Sequence, residues 1–282
     1  MLDPVIDTRL RKNLRVFLIY TLLIIFAVIF LIPIVWMIST SLKSSTEIYQ
    51  THIRIIPSKI EWQNYIFAVT SVPYFKYVWN TVIIAFFSVI GQLFAAPLVA
   101  YSLAKIRWGG SKIIFALVVS TMFLPYQVTM IPVYLIYYKL GFVGTFIPLI
   151  LPNFFGYPFY IFLLRQFMMM LPDSLFEAAW IDGASEFRIY WQITLPLIRP
   201  ALATVAIFTF IGSWSDLLGP LIYLNDPNKY TLSLGLRQFL TEHSIEWGPL
   251  MAASIIFILP IIVIFAIAQK QFIEGITFTG IK

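Results

Sequence analysis

The side chains best suited to chemistry lie in residues 171–196, where charged and large apolar residues are interleaved. The charged members are Asp173, Glu177, Asp182, Glu186 and Arg188. The large apolar members are Leu175, Phe176, Trp180, Ile181, Phe187, Ile189, Tyr190, Trp191 and Ile193. The segment is too charged to cross a bilayer and too apolar for a solvated connector. Such a surface usually marks a contact with another protein, although packing on the chain's own helix ends is the alternative.

The sequence lacks the residue sets that common catalytic and metal sites require. It has no cysteine, which excludes thiolate nucleophiles, thiolate metal sites and disulfides. No G-x-x-x-x-G-K-[ST] phosphate loop occurs, because residues 109–112 (Gly-Gly-Ser-Lys) are too few and in the wrong order. His52 and His243 have no second ligand at a spacing that suits zinc. We therefore expect a non-catalytic chain that binds no metal or cofactor itself.

Composition indicates a membrane protein. Of the 282 residues, 60% are hydrophobic and 11% are charged, against about 45–50% and about 25% in soluble domains. The net charge of +6 comes from basic residues beside apolar runs, which favours membrane orientation over nucleic-acid binding. A bilayer core needs about 20 apolar helical residues. Six segments qualify: Arg15–Lys43, Lys76–Lys105, Lys112–Lys139, Lys139–Arg165, Arg199–Leu224 and Glu246–Lys270. The prediction is an all-α membrane protein with six transmembrane helices.

The distribution of Lys and Arg predicts the orientation. The first span is too long for a signal-peptide core and lacks a cleavage site, so it is expected to remain. With both termini cytoplasmic, twelve Lys and Arg lie inside and seven outside. The predicted order is a cytoplasmic segment (1–16), the first span (17–38), an external segment (39–76), a five-helix core (77–270) and a cytoplasmic tail (271–282). The core includes a cytoplasmic loop (166–200) and an external loop (225–247).

Local signals divide the interleaved segment into two short helices. Ser174 and Glu177 have the spacing of a capping box, with Ser174 at the N-cap. Gly183 suits the position just after a helix, where the backbone often adopts a left-handed conformation. Ser185 is expected to cap the second helix and Pro196 to end it.

Prolines predict bends in three of the spans. Pro148, Pro152 and Pro158 each remove a helix donor from the fourth span, while Pro97 and Pro125 should interrupt the second and third. Ordinary tolerance of proline in membrane helices is the alternative.

One pattern resembles a known family. The pattern begins with Glu177-Ala178-Ala179, continues with Gly183 after three residues and Ile193 after nine more, and ends with Leu195-Pro196 after one more. It is similar to the EAA signature of ABC importer permeases. Residues 211–216, 224–227 and 248–254 are also similar, and the likeness extends from Leu31 onward. The branch that the sequence resembles is the maltose-transporter-like, binding-protein-dependent one, which takes up carbohydrates. Ser215 stands where that family often has asparagine.

The resemblance implies a permease whose cytoplasmic loop is a coupling helix, which docks into a cleft on a separate ATPase subunit. The residues it implies for coupling are Glu177, Ala178, Ala179, Asp182, Gly183, Ile193, Leu195 and Pro196, with Glu177 pairing with an ATPase arginine. The implied partners are two ATPase subunits that hold ATP and Mg, a second homologous permease, an extracytoplasmic substrate-binding protein and lipid, without nucleic acid. The implied location is the bacterial or archaeal cytoplasmic membrane. Residues 225–247 should contact the binding protein, and 275–282 the ATPase.

Candidates for the translocation path are weaker. Asp216 is the one acidic residue in the fifth span, and it either lines the path or holds a helix end. Trp214, Gln127, Tyr126 and Gln92 are further candidates. The alternatives in function are an importer for a glycerol-phosphate-like solute and an ion-driven secondary transporter. A membrane-embedded enzyme is disfavoured by the missing catalytic residues.

Overall fold

Helices dominate the computed structural model, which describes residues 4–50, 54–240 and 245–277. Among these residues no strand forms, and one isolated bridge joins Leu240 to Ile245. The all-α prediction is therefore confirmed. The chain divides into two compact units, residues 1–71 with 239–256 and residues 72–238 with 257–282.

The first unit is built around one long apolar helix. Its elements are α1 (Pro4–Ser41), α2 (Ser45–Ile48), α3 (Gln63–Thr70) and the start of α15 (Trp247–Thr277). The most apolar stretch of α1 lies within Lys12–Ser41, and none of it is buried in the chain. The Asn64 amide donates to the carbonyls of Ser41 (2.9 Å) and Lys43 (2.8 Å), which satisfies acceptors near the end of α1.

The second unit contains the remaining helices. They are α4 (Tyr74–Ala104), α5 (Ser111–Thr121), α6 (Tyr126–Lys139), α7 (Ile147–Ile150), α8 (Pro158–Met169), α9 (Asp173–Ile181), α10 (Glu186–Ile189), α11 (Leu195–Leu197), α12 (Arg199–Ser215), α13 (Leu218–Tyr223), α14 (Leu232–Leu236) and the later turns of α15. Leu151–Phe155, Pro227–Lys229 and Arg237–Phe239 are 3₁₀ turns, and Tyr190–Thr194 is a π turn.

Helix α4 is the centre of the second unit, with α8 and α12 packed against it. Several small residues on α4 are buried: Ala85, Ser88, Gly91, Ala96 and Ala100. Small side chains let helix backbones approach closely, which is the common way for membrane helices to pack. Movement of α4 would therefore be felt directly by both neighbouring helices.

Length and composition allow four to six spans. Four helices qualify alone: Lys12–Ser41, Tyr74–Ala104, Ile147–Met169 and Trp247–Gln269. Two bent pairs make six if each is one span, namely α5 with α6, bent by 99°, and Glu186–Leu197 with α12, bent by 77°. The first bend falls at Pro125, whose backbone is extended, as predicted.

The predicted interruption of the second span at Pro97 is wrong. Helix α4 runs unbroken from Tyr74 to Ala104 with Pro97 buried inside it. In membrane helices, neighbouring helices and local adjustments can accommodate the carbonyl that a proline leaves free.

The fourth span is irregular, as its prolines predict. Helix α7 passes into a 3₁₀ turn, Gly156 adopts φ +80°, and α8 then begins at Pro158. The buried Gln92 side chain accepts a hydrogen bond from the Tyr157 backbone N–H at 3.1 Å. Asn153 donates to the Leu149 carbonyl at 3.3 Å. These bonds satisfy backbone groups that the break exposes.

A glycine in α14 makes a close contact that predicts a stability effect. A Cβ on Gly235 would lie 2.5 Å from the ring of Tyr77, which is 1% exposed and cannot swing away. We expect Gly235→Ala to lower the free energy of unfolding by about 1–3 kcal/mol, as overpacking does. Thermal unfolding of the purified protein measures this. Gly212→Ala is the matched control, because a Cβ there meets nothing within 4 Å; equal unfolding temperatures in the two variants would contradict the packing.

Candidate functional site

Residues 173–197 form a helical hairpin, the name used below for α9 and the helical run that follows it. Its corner is a Schellman motif: Gly183 N–H donates to the Trp180 carbonyl (3.0 Å), and Ala184 N–H donates to the Ala179 carbonyl (2.9 Å). Gly183 has φ +75°, which favours glycine, as predicted. Ser185 also caps the second helix as predicted, accepting from Arg188 N–H at 3.3 Å.

The predicted capping box at Ser174 and Glu177 is wrong. The N-cap position is two residues earlier, at Pro172, which provides no side-chain cap, and helix α9 begins at Asp173. Ser174 therefore lies inside the first turn. The Asp173 carboxylate is instead held by Lys105, a residue at the end of α4.

The prediction that Pro196 ends the second helix is also wrong. The run continues from Glu186 to Leu197, and the bend comes at Ile198. A π turn at Tyr190–Thr194 precedes the proline, and Leu195 N–H donates to the Tyr190 carbonyl five residues back. This shift in hydrogen-bond register places Pro196 in the first turn of α11, where a missing N–H costs little.

The hairpin has one buried face. Its buried residues are Phe176, Ala179, Ile189, Tyr190 and Thr194. All but Thr194 belong to the core cluster that also contains Tyr101 of α4 and Met168 of α8. Packing on the chain's own helices, the alternative to a contact with another protein, therefore explains the apolar residues of this buried face but not the exposed ones.

The rest of the hairpin surface exposes large apolar side chains. We call it the docking face, and its members are Leu175, Trp180, Ile181, Phe187, Trp191 and Leu197. Ile181 is 86% exposed and Phe187 72%. The rings of Phe187 and Trp191 stack with centroids 6.4 Å apart. So many exposed large apolar side chains on one short hairpin are typical of an interaction site.

Lys105 anchors the start of the hairpin to α4. Its Nζ donates to the Leu171 carbonyl (2.9 Å) and to Asp173 Oδ1 (2.8 Å), and it lies 4.3 Å from the centre of the Phe176 ring. The hydrogen bond and charge of Lys105 lower the pKa of Asp173, and Arg107 adds to this effect. Asp173 therefore stays ionised at neutral pH, and the ion pair is lost only as the pH falls through that lowered pKa.

Glu186 ties both hairpin helices to α4. One carboxylate oxygen accepts from the Tyr101 hydroxyl at 2.7 Å, and the other accepts from Trp180 Nε1 at 2.9 Å. We call Tyr101, Glu186 and Trp180 the clasp. Sequence reasoning assigned none of the three a role. Local sequence carries no signal for Tyr101 or Lys105, because they lie more than 60 residues from their partners.

The signature residues occupy different positions on the hairpin. Glu177, Ala178, Asp182 and Gly183 are exposed, Ala179 is buried, and Ile193, Leu195 and Pro196 are half-buried. Within the described chain, the Glu177 carboxylate has no hydrogen bond or ion pair. It borders a cleft of about 460 Å³ that Lys105, Arg107, Trp108 and Asp173 also line. A free carboxylate beside an apolar face is suited to a partner's cation.

The path candidates separate into two groups. Asp216 accepts a hydrogen bond from Gly219 N–H at 3.1 Å and lies within electrostatic range of Tyr126. Tyr126 and Gln127 are exposed. Gln92 is fully buried beneath the break in the fourth span. Trp214 is 3% exposed, and its Nε1 donates to the Phe257 carbonyl at 3.1 Å. No group of metal-binding side chains occurs among the described residues.

The comparisons with known proteins decide the family. A family model described as "binding-protein-dependent transport system inner membrane component" matches residues 94–277. That range contains the entire hairpin. The chain belongs to this family. It is therefore an inner membrane component of a binding-protein-dependent transport system, and the family consists of transport subunits rather than enzymes.

Individual relatives of this inner membrane component agree over nearly its full length. It is 34% identical over 259 residues to the arabinooligosaccharides transport system permease protein AraQ of Halalkalibacterium halodurans, covering 91% of this chain and 92% of the relative. It is 30% identical to the sn-glycerol-3-phosphate transport system permease protein UgpE of Yersinia enterocolitica, covering 94% and 97%. A crystal structure of a bacterial ABC transporter that imports the acidic polysaccharide alginate matches with TM-score 0.79 and 27% identity, covering 93% and 98%.

Proposed function

We propose that this chain is a permease subunit of an ATP-driven importer for a carbohydrate, and that its hairpin docks on a separate ATPase subunit. The observation that carries the proposal is the docking face beside the free Glu177 carboxylate, on a hairpin that bears the complete signature. The names of its relatives, which transport arabino-oligosaccharides and alginate, support a saccharide as the solute.

The contacts of the hairpin suggest how ATPase movement reaches the path. Lys105 and the clasp fix the hairpin to α4, and α8 and α12 pack on α4. A displacement of the docked hairpin would therefore move three helices together. This requires the ATPase to bind the hairpin differently in its two states, because a partner shifts an equilibrium only through differential affinity.

The proposed topology has six spans, namely the four single helices, α5 with α6 counted as one, and α12 without the hairpin that precedes it, with both termini in the cytoplasm. The hairpin then lies on the cytoplasmic side, and residues 39–76 and 225–247 lie outside. The excess of Lys and Arg in the inner segments supports this orientation. The membrane is proposed to be the bacterial or archaeal cytoplasmic membrane.

We assign Asp216, Tyr126 and Gln127 to the translocation path. Tyr126 and Gln127 are exposed, and Tyr126 lies within electrostatic range of Asp216. Gln92 and Trp214 are given structural roles, since the first supports the break before α8 and the second holds α12 against α15. Path contacts must form and break during transport, which suits exposed groups better than buried ones.

Four kinds of partner complete the proposed assembly: two ATPase subunits, which hold ATP and Mg, a second permease, an extracytoplasmic binding protein and lipid. Much of the external loop is fixed to α4, because Asn80 donates to the Asn228 and Tyr230 carbonyls (3.0 Å each) and Thr81 accepts from Leu232 N–H (2.9 Å). Residues 241–244 of the predicted binding-protein contact and residues 278–282 of the predicted ATPase contact lie outside the described residues.

A glycerol-phosphate-like solute is the second candidate, favoured by the 30% identity to UgpE. An ion-driven transporter is a further alternative, but membership of a binding-protein-dependent family favours the ATP-driven mechanism.

Copurification tests the proposed function. We expect the tagged chain, expressed with its neighbouring genes, to bring down an ATPase chain and a second permease in stable proportions. In vesicles, ATP hydrolysis should rise when binding protein loaded with oligosaccharide is added, and not with glycerol phosphate. Recovery of a complex without any ATPase chain, together with uptake that follows an ion gradient, would contradict the proposal.

A further inference from the structure

Lys43, which follows the end of α1, is a buried cation without a paired anion. The residue is 4% exposed. Its Nζ donates to the Arg54 carbonyl and lies 5.2 Å from the centre of the Trp36 ring. No carboxylate among the described residues forms an ion pair with it. An ammonium group has three N–H donors, so two of them have no hydrogen-bond partner in the described part of the chain. Because burying an unpaired charge is costly, this position favours an anion from outside the chain.

Lys43 lines a cleft of about 450 Å³ in the first unit. The cleft is bordered by the end of α1, the start of α15, and α2 with residues that follow it. Thr40 and Gln50 supply further polar groups to its lining. The volume falls within the roughly 300–1,000 Å³ of sites for small molecules. The buried ammonium therefore borders a space large enough for a ligand.

The charged residues of the cleft are two cations, Lys43 and Arg54, and one carboxylate, Glu47. One oxygen of Glu47 accepts from the backbone N–H and the hydroxyl of Ser58, at 3.0 Å each. Arg54 donates one N–H to the same hydroxyl at 3.1 Å, and its other side-chain N–H groups have no partner among the described residues. The cleft thus has a net positive charge and free donors on both cations. Lysine and arginine with free donors are suited to a phosphate group.

The surroundings of the cleft suit an anion that carries apolar chains. Trp36, Tyr49 and Trp247 line it, and all three are exposed. Tryptophan and tyrosine concentrate where a membrane surface meets water, and the proposed topology places the end of α1 at the outer surface. The apolar stretch of α1 leads from the cleft into the membrane, and none of it is buried in the chain. A headgroup in the cleft could therefore extend its acyl chains along α1.

We propose that this cleft binds the headgroup of an anionic phospholipid in the outer leaflet; the choice of leaflet rests on the topology given under Proposed function. The phosphate oxygens accept from the free N–H groups of Lys43 and Arg54, and the acyl chains lie along α1. A soluble phosphate ester would pair with the same two cations, but it would leave the exposed aromatic rings uncovered. A carboxylate of the second permease is the rival partner for Lys43.

Native mass spectrometry of the complete purified complex tests the proposal, with titrations of phosphatidylglycerol and of phosphatidylcholine of equal chain length. We expect phosphatidylglycerol to bind at least about fivefold more tightly, since it carries the net negative charge. Lys43→Gln should weaken its binding at least about thirtyfold, as loss of one partner of a buried charge pair does. Arg54→Gln, which removes an exposed cation, should weaken it about fivefold.

Lys59→Gln is the matched control for both substitutions. It removes one positive charge from the same segment, but Lys59 is exposed, pairs with Glu61 at 3.3 Å and does not line the cleft. Affinity for phosphatidylglycerol should stay within about twofold of the unsubstituted value, because exposed ion pairs contribute little.

Arg54→Gln keeps the test valid if Lys43→Gln does not assemble, because the Arg54 side chain is exposed and bonds only to Ser58. Equal affinities for phosphatidylglycerol in Arg54→Gln, Lys59→Gln and the unsubstituted complex would overturn the site. Displacement of the lipid by an equal concentration of glycerol phosphate would assign the cleft to a soluble phosphate ester instead. Loss of the second permease from Lys43→Gln complexes, without any preference for phosphatidylglycerol, would assign it to permease contact. The titration uses neither ATP nor solute, so a complex without an ATPase chain would contradict the proposed function and leave the lipid result readable.

Discussion

Glu186→Ala is expected to lower the amount of solute transported per ATP hydrolysed by about tenfold. The substitution removes the acceptor for both Tyr101 and Trp180, whose bonds to Glu186 are 2.7 and 2.9 Å long. Hydrogen bonds to a charged group contribute about 1.5–3 kcal/mol each, and 1.4 kcal/mol corresponds to a factor of ten. Lys105 still holds α9, so the ATPase should bind while its movement reaches α4 less efficiently. Parallel measurements of uptake and ATP hydrolysis in vesicles give the ratio.

Two further variants separate a coupling role from a general loss of stability. Arg188→Gln changes a charge on the same helix, but Arg188 Nε bonds only to Gln192 within the hairpin, so the transport ratio should not change. Tyr101→Phe should lower the ratio less than Glu186→Ala, and the double variant should match Glu186→Ala alone, since residues that share one interaction are non-additive. A normal ratio in Glu186→Ala, or full additivity, would show that the clasp does not transmit movement.

Glu177→Gln is expected to weaken ATPase binding by at least about thirtyfold without affecting the fold. The Glu177 side chain is exposed and has no hydrogen bond or ion pair among the described residues, so the free energy of unfolding should change by less than about 0.5 kcal/mol. Removing one partner of a charge pair at an interface costs about 2–5 kcal/mol, and 2 kcal/mol is roughly thirtyfold. Titration of purified ATPase onto the permease in lipid nanodiscs measures the affinity.

Asp226→Asn is the charge-matched control for Glu177→Gln. It also removes one negative charge, but it lies in the loop proposed to be external, where Asp226 accepts from Asn228 N–H at 2.9 Å. ATPase affinity should be unchanged in this variant. Equal affinities for Glu177→Gln and the unsubstituted chain would remove Glu177 from the docking contact.

The hairpin shows what local sequence can and cannot predict. Gly183 and Ser185 behave as predicted, because a left-handed residue and an N-cap depend only on immediate neighbours. The start of α9 was mispredicted, because Asp173 is held by Lys105, which is 68 residues away. The end of the second helix was mispredicted, because a π turn changes the hydrogen-bond register before Pro196. A contact between distant residues accompanies the first error, and a local change of hydrogen-bond register accompanies the second.

The membrane spans and the candidate path residues also divide into features that the sequence predicts and features that it does not. Among the described residues, the charge-free segments overlap the four helices that could span a bilayer alone and the two bent pairs, since burial in lipid requires only length and composition. The 99° bend between α5 and α6 was predicted in place but not in size. Gln92 and Trp214 were chosen as path residues for their chemistry, yet both are buried in contacts with other helices.

Disulfide cross-linking tests the docking of the hairpin most directly, and the chain has no cysteine that would interfere. Ile181→Cys, at a position 86% exposed on the docking face, is paired with single cysteines placed around the ATPase cleft. We expect cross-links whose yield changes between nucleotide-free and ATP-bound states. Tyr138→Cys, at a position 65% exposed near the end of α6 that the proposed topology places outside, should give none. Absence of any cross-link from Ile181→Cys in every nucleotide state would contradict the account.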